Sequence, residues 1–324
     1  MQILILGMHR SGTSAVARLL NTMGAYFAPE GASTGANQEN PKGFWERRDV
    51  RALNDQLLNA AKADWHRLGN FSLEAIPELT MALFRREAAK IILSMDAYRP
   101  WFIKEPRLCV LAPLWLELLE FPVCIFVHRS PLEVAASLKT RNGFPTRFSC
   151  ALWEFYNTAA LSATFGLRRL QVNHRDLMCD PVGTVRILFE ELQKCGVRGL
   201  RQPSDDEVLS FIDPALVRAK ATTEREALTP TQRKLFKLFE SGEALTLTKP
   251  INCSQKARTA LRAHDCAVDP ENKIGKLEAG HAKLTAELSG LKEGKTELQK
   301  ALAERVAEVS TLKEGKAKLQ KALA

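Results

Sequence analysis

The stretch QILILGMHRSGTSAVARLL, from Gln2 to Leu20, decides the fold. QILIL is a compact apolar run closed by Gly7, and Val16, Leu19, Leu20 and Met23 then recur at helical spacing, which predicts a strand, a loop and a helix over Ser14 to Met23. Between them lies GMHRSGTS (Gly7 to Ser14), where successive backbone N–H groups and the helix dipole converge on an anion. Gly7 and Gly12 keep the spacing of the GxxxxGK[ST] phosphate loop, but Thr13 stands where a lysine would reach the outer phosphates. A conventional ATPase or kinase is therefore disfavoured, the more so because the run PVCIFVH (Pro122 to His128) is followed by Arg129 and offers no aspartate for magnesium.

Outward from this unit the same alternation repeats. WFIKEP (Trp101 to Pro106) and PVCIFVH read as the second and third strands, and Leu170 to Asn173 as a short fourth. Helices are expected over 49–61, 74–98, 131–139, 147–165 and 181–194, and a Gly-, Pro-, Ser- and Asn-rich stretch at 26–42 together with the first two of these helices reads as an insertion between the first and second strands. Strands alternating with helices describe an α/β protein with a parallel sheet, and 324 residues at 45% hydrophobic content suffice for its core. Lys plus Arg exceed Asp plus Glu by 46 to 37, a net +9, which favours acidic partners. Residues 271–324 hold 11 basic and 8 acidic groups, so the first 270 keep 35 against 29 and most of the excess. Seven cysteines without a CxxC pair read as reduced thiols, no run suits a membrane span or a secretory leader, and a cytoplasmic address is expected.

The loop residues Arg10, Ser11, Gly12, Thr13 and Ser14 resemble the sulfotransferase family, whose 5′-phosphosulfate loop reads [KR]SGT[ST]. That family also places an Arg at a strand end and a Ser eight residues on, as Arg129 and Ser137 stand in FVHRSPLEVAASL. KEPR (Lys104 to Arg107) is similar to the KDPR element of bacterial members, with Glu105 for the commoner Asp, and VNHRDLMCDP (Val172 to Pro181) to their YEDLxxDP segment. The RKGxxG loop of cytosolic eukaryotic members has no counterpart. The resemblance implies a P-loop-type three-layer α/β fold that moves a sulfuryl group from 3′-phosphoadenosine 5′-phosphosulfate (PAPS) to a hydroxyl or amine, with a carbohydrate or glycan as the expected acceptor and no metal. It implies that Gly7, Arg10, Ser11, Gly12, Thr13 and Ser14 cradle the 5′ end of the donor, that Arg129 and Ser137 hold its 3′-phosphate, and that Arg10 and Lys104 stabilise the leaving phosphate. Arginine's fork of donors suits both phosphates.

For the proton acceptor the family uses a Glu or His near the sulfuryl group, and Glu46, Glu105, His66 and Asp55 are the candidates, Glu46 before Glu105. His9 and His128 read as spacers or core residues, and Trp45 as a residue able to stack on a sugar. A nucleotide or small-molecule kinase with an atypical loop and a non-catalytic nucleotide-binding scaffold are the rival readings. Neither a nucleic acid nor a membrane is an expected partner.

From Ile274 the pattern turns to heptads, with Leu277, Leu284, Leu291, Leu298, Leu312 and Leu319 at d and Ile274, Leu288, Leu302, Val309 and Leu323 at a. LKEGKTELQKALA (Leu291 to Ala303) recurs as LKEGKAKLQKALA (Leu312 to Ala324) 21 residues on, three heptads that preserve the seam. The expected organisation is a sulfotransferase domain over 1–250, a linker over 251–273 and a coiled coil over 274–324 able to join two copies.

Overall fold

A computed structural model of the chain describes residues 1–35, 43–212, 228–268 and 270–322. The Gly-, Pro-, Ser- and Asn-rich stretch at 26–42 is therefore described only as far as residue 35. Four strands form one parallel sheet: β1 (Gln2–Leu6), β2 (Trp101–Lys104), β3 (Pro122–His128) and β4 (Arg168–Asn173), in the order β2-β1-β3-β4. Every residue of β1 and β2 is buried, as in a sheet covered on both faces. Alternate strand residues feed two cores. Leu4, Leu6, Trp101, Ile103, Cys124 and Phe126 point into one, and Ile3, Ile5, Phe102, Val123, Ile125 and Val127 into the other.

The first core is covered by α2 (Arg48–Ala60), α3 (Glu78–Asp96), α4 (Leu108–Leu116), α6 (Thr146–Ala163) and α10 (Pro230–Glu240). The second is covered by α1 (Thr13–Thr22), α8 (Pro181–Lys194) and α9 (Asp205–Phe211). The result is the expected three-layer arrangement. Because the strand after β1 lies to one side of it and the next to the other, the order reverses between β1 and β3, and a crevice opens beyond their C-terminal ends. The loop after β1, the residues after β3 and α5 (Pro131–Asn142) all start there.

Several helices were not expected from the sequence. The α4 run LCVLAPLWL is apolar throughout and buried at all but Pro113 and Leu116, so it lacks the amphipathic period by which a helix is recognised. The short α7 (His174–Cys179) and α8 are capped by the side chains of Asn173 and Asp180, so the VNHRDLMCDP segment serves as a pair of helix starts. Capping boxes open α9 at Ser204 and Glu207 and α10 at Thr229 and Gln232. The segment read as a linker contains a helix, α11 (Gln255–Val268), whose Ala257 and Leu261 enter the first core. Buried Glu154 of α6 accepts a hydrogen bond from the Ser254 N–H just before that helix, and Asp265 accepts one from the Gly69 N–H. Met1–Asp265 form one compact unit and Cys266–Ala324 a second, which contains α12 (Pro270–Ala322), a helix of 53 residues. Side chains of Ile274, Leu277, Leu319 and Leu323 lie outside the described residues.

Candidate active site

The loop after β1 is shaped by two glycines. A Cβ on Gly7 would lie 2.6 Å from the Val127 carbonyl oxygen and 2.8 Å from Thr13 Cγ2, so only glycine lets β1 and β3 release the loop this close together. Gly12 has φ 93°, and a Cβ there would meet the His174 ring at 2.5 Å. Arg10 also adopts a left-handed φ of 71°, a conformation that costs a non-glycine residue of order 1 kcal/mol and is concentrated at functional sites. The turn closes through the Ser11 N–H donating to the Met8 carbonyl at 3.1 Å. At its start the Gly7 N–H donates to Cys109 Sγ at 3.1 Å, a buried thiol whose pKa burial pushes up to about 12.

The residues expected to hold the two ends of the donor meet in one network. Arg10 Nε donates to Ser137 Oγ on α5 at 2.9 Å, and Arg129 Nη1 donates to the Arg10 carbonyl at 3.2 Å. Arg129 is oriented from two sides, by its Nε donating to Glu133 Oε2 at 2.8 Å and by its carbonyl accepting from Trp153 Nε1 at 3.1 Å. Ser137 thus contacts Arg10, and Arg129 reaches the loop through its backbone. Two buried polar atoms of this network, Ser11 Oγ and Arg129 Nη2, have no hydrogen-bond partner among the described residues. Buried donors are ordinarily satisfied, so these two are free to take a further hydrogen-bond partner.

Lys104 and Glu46, both expected from the sequence, stand together. Lys104 Nζ donates to Glu46 Oε1 and to the Phe44 carbonyl, each at 2.7 Å, and both side chains are buried. Ser14 Oγ donates to the same Phe44 carbonyl at 3.1 Å, which ties the Glu46 segment to the loop. Glu105 is differently placed. It is fully buried, its Oε1 pairs with Arg107 Nη1, and its Oε2 accepts from Asn54 Nδ2 at 2.7 Å and from the Arg107 N–H at 3.1 Å. Burial raises its pKa, and Arg107 and Asn54 work against that rise. Asn54 in turn accepts from Trp115 Nε1 at 2.8 Å, and Arg107 Nε lies 2.9 Å from Asp55. Asp55 and Glu105 therefore both serve Arg107, and the expectation of Glu105 as an alternative base meets a carboxylate with no exposed surface and both oxygens engaged.

His66 is drawn into a separate cluster, its Nδ1 3.3 Å from His264 Nε2 on α11. Trp45 packs against Phe27 at 5.5 Å and under the Arg18 guanidinium at 5.0 Å, so its ring is engaged by protein groups. His9 is wedged between Trp65 and Tyr156, and His128 stacks on Phe239. His174, which the sequence reading passed over, packs its ring against Gly12 at the foot of the loop. Its only sequence signal is its place just after β4, since nothing in VNHRDL shows which residue will face a loop 160 residues earlier. Among the described residues no group of His, Cys, Asp and Glu could hold a metal, and no helix is long and apolar enough to cross a membrane.

Comparison with known proteins gives a family. A family model described as a sulfotransferase family matches residues 2–194. Among solved structures, the sulfotransferase domain from the Synechococcus PCC 7002 olefin synthase is similar at 18% identity, covering 82% of this chain and 94% of that one, with a TM-score of 0.40. The sulfotransferase domain from the curacin biosynthetic pathway is similar at 15% identity over 81% and 96% of the two chains, with a TM-score of 0.40. Sulfotransferase STF1 from Mycobacterium tuberculosis H37Rv is similar at 15% identity over 67% and 75%, with a TM-score of 0.42. No curated protein matches the chain. The family match spans more than half of the sequence and contains the loop, Glu46, the KEPR element, Arg129 and Ser137, and it sets aside the kinase reading: the chain belongs to the sulfotransferase family.

Proposed function

We propose that this enzyme moves a sulfuryl group from PAPS to a hydroxyl or amine of an acceptor, a carbohydrate or glycan by preference. The observation that carries the donor assignment is the joined network of Arg10, Ser137 and Arg129, with the buried Ser11 Oγ and Arg129 Nη2 unpartnered within it. A donor with a phosphosulfate at one end and a separate 3′-phosphate at the other needs two anion-binding elements, and the unpartnered Ser11 Oγ and Arg129 Nη2 support that reading.

PAPS brings a sulfuryl group activated by a phosphate leaving group. The protein's share is positioning and charge. Arg10, the N–H groups of the loop and Lys104 offset the negative charge that grows on the leaving phosphate. Arg129 and Ser137 fix the nucleotide end, and Glu46 takes the proton of the acceptor as its oxygen or nitrogen bonds to sulfur. Lys104, bonded to Glu46, holds that carboxylate beside the loop. Glu105 acts as the buried anchor of Arg107.

Calorimetry tests the donor assignment. Adenosine 3′,5′-bisphosphate should bind tightly and AMP far more weakly, since only the first occupies both elements; equal affinities would exclude the assignment. Mass spectrometry of products formed from PAPS with glycan, lipid and phenol acceptors tests the rest. Sulfated glycan is the expected product, and sulfated phenol alone would overturn the acceptor class.

A further inference from the structure

The helix α12 exposes a row of large apolar side chains. Leu284, Leu288, Leu291, Leu298, Leu302, Val309 and Leu312 are each 50–73% exposed. They occupy the a and d positions of successive heptads, so they form one stripe rather than scattered surface residues. A lone helix of 53 residues carrying Gly290, Gly294 and Gly315 is marginal in water, because propensity alone does not sustain it and tertiary packing is what normally does.

Charge says what covers the stripe. Glu287 stands at g and Lys292 at the following e, and Glu308 and Lys313 repeat the arrangement 21 residues on. In a parallel, in-register pair of identical chains each g residue faces the next e of the partner, so these become opposite charges flanking the seam. An antiparallel pair sets g against g and e against e, which brings like charges together. Lys295 and Lys316 at a interrupt the apolar layers, and a polar a residue fixes register and strand number because its charged end must reach water from the seam. Arg305, at d, is paired within its own helix to Glu308 at 2.7 Å, which lowers the cost of that charged layer.

We propose that α12 is a dimerisation element whose occupant is a second copy of this chain, in a parallel, in-register, two-stranded coiled coil. At about 1.5 Å per residue the paired helices run for roughly 80 Å, with a left-handed supercoil that keeps the 3.5-residue stripe facing its mate. This pairing is independent of the sulfuryl-transfer reading, because no residue of the active-site network lies on α12.

Analytical ultracentrifugation of the full chain tests it. The wild-type chain should sediment as a dimer at micromolar concentration, and Leu291→Asp with Leu298→Asp should leave a folded monomer whose sulfotransfer per chain is kept. Lys292→Glu and Glu287→Lys, made in separate chains, should each weaken self-association roughly tenfold, by turning two flanking attractions into repulsions. Mixing the two variants should restore dimers that contain one of each. A wild-type chain that stays monomeric at 100-fold higher concentration, a trimer or tetramer mass, or a dimer indifferent to the leucine substitutions would overturn the proposal. Wild-type dimers that Lys292→Glu does not weaken would overturn the parallel orientation.

Discussion

Glu46 and Glu105 are two buried carboxylates with different partners. Glu46 is bonded to Lys104 beside the phosphate loop, while Glu105 is enclosed by Arg107 and Asn54. Glu46→Gln should therefore lower turnover by roughly 10² or more with donor affinity kept, since Gln can still bond Lys104 but cannot take a proton. Glu105→Gln should act on stability, by about 1–3 kcal/mol, because it removes the buried one of the two carboxylates that offset the Arg107 guanidinium and leaves only the more exposed Asp55. Denaturant melts beside single-turnover rates separate the two outcomes. Arg129→Ala should weaken adenosine 3′,5′-bisphosphate by about 2 kcal/mol or more, roughly 30-fold, with little change in kcat at saturating donor. Titration calorimetry and saturation kinetics on the same variant check both halves.

At the scale of elements, the loop between β1 and α1 depends on what packs beneath it. Gly12→Ala would force a Cβ onto the His174 ring at a φ of 93°, so a loss of about 1–3 kcal/mol is expected, together with loss of donor binding. Adding His174→Ala should recover part of the stability by removing the clash, while the backbone strain remains; urea titrations of the single and double variants measure the difference. The helices show where sequence reading succeeds and fails. The apolar runs of β1 and β3 and the Pro-initiated starts of α5 and α8 were legible, because each is a local pattern with a local cause. By contrast α4 carries no amphipathic period, and α11 shows only Ala257 and Leu261 as an inward pair, too little signal for a helix of 14 residues.

Across the molecule, burial of histidines sets a pH limit on stability. His128 has both ring nitrogens buried without hydrogen-bond partners among the described residues, and burial lowers its pKa to about 4. His174 is lowered to about 3, by burial first and then by Arg129 and His128 nearby. Both groups titrate near 6.5 in an unfolded chain, so between these values the unfolded state binds more protons than the folded one. Stability should hold above pH 6.5 and fall as pH drops from 6.5 towards 4. His128→Phe, which keeps an aromatic ring against Phe239, should flatten part of that slope when Tm is followed from pH 7 to pH 4.

The sequence by itself determined the parallel α/β class, the strand–loop–helix unit with its two glycines, and the heptad stripe. Each rests on a period or a short motif, which neighbouring residues suffice to produce. Only the tertiary structure decided that Ser137 bonds Arg10, that Lys104 holds Glu46, that Glu105 belongs to Arg107, and that His174 lies under Gly12. These contacts join residues 58 to 162 positions apart, except for the Glu105–Arg107 pair, which gains its second partner from Asn54 on α2. A side chain's role depends on which strand ends the sheet order brings together, and the order β2-β1-β3-β4 is fixed by packing across both faces, which no local stretch of sequence contains.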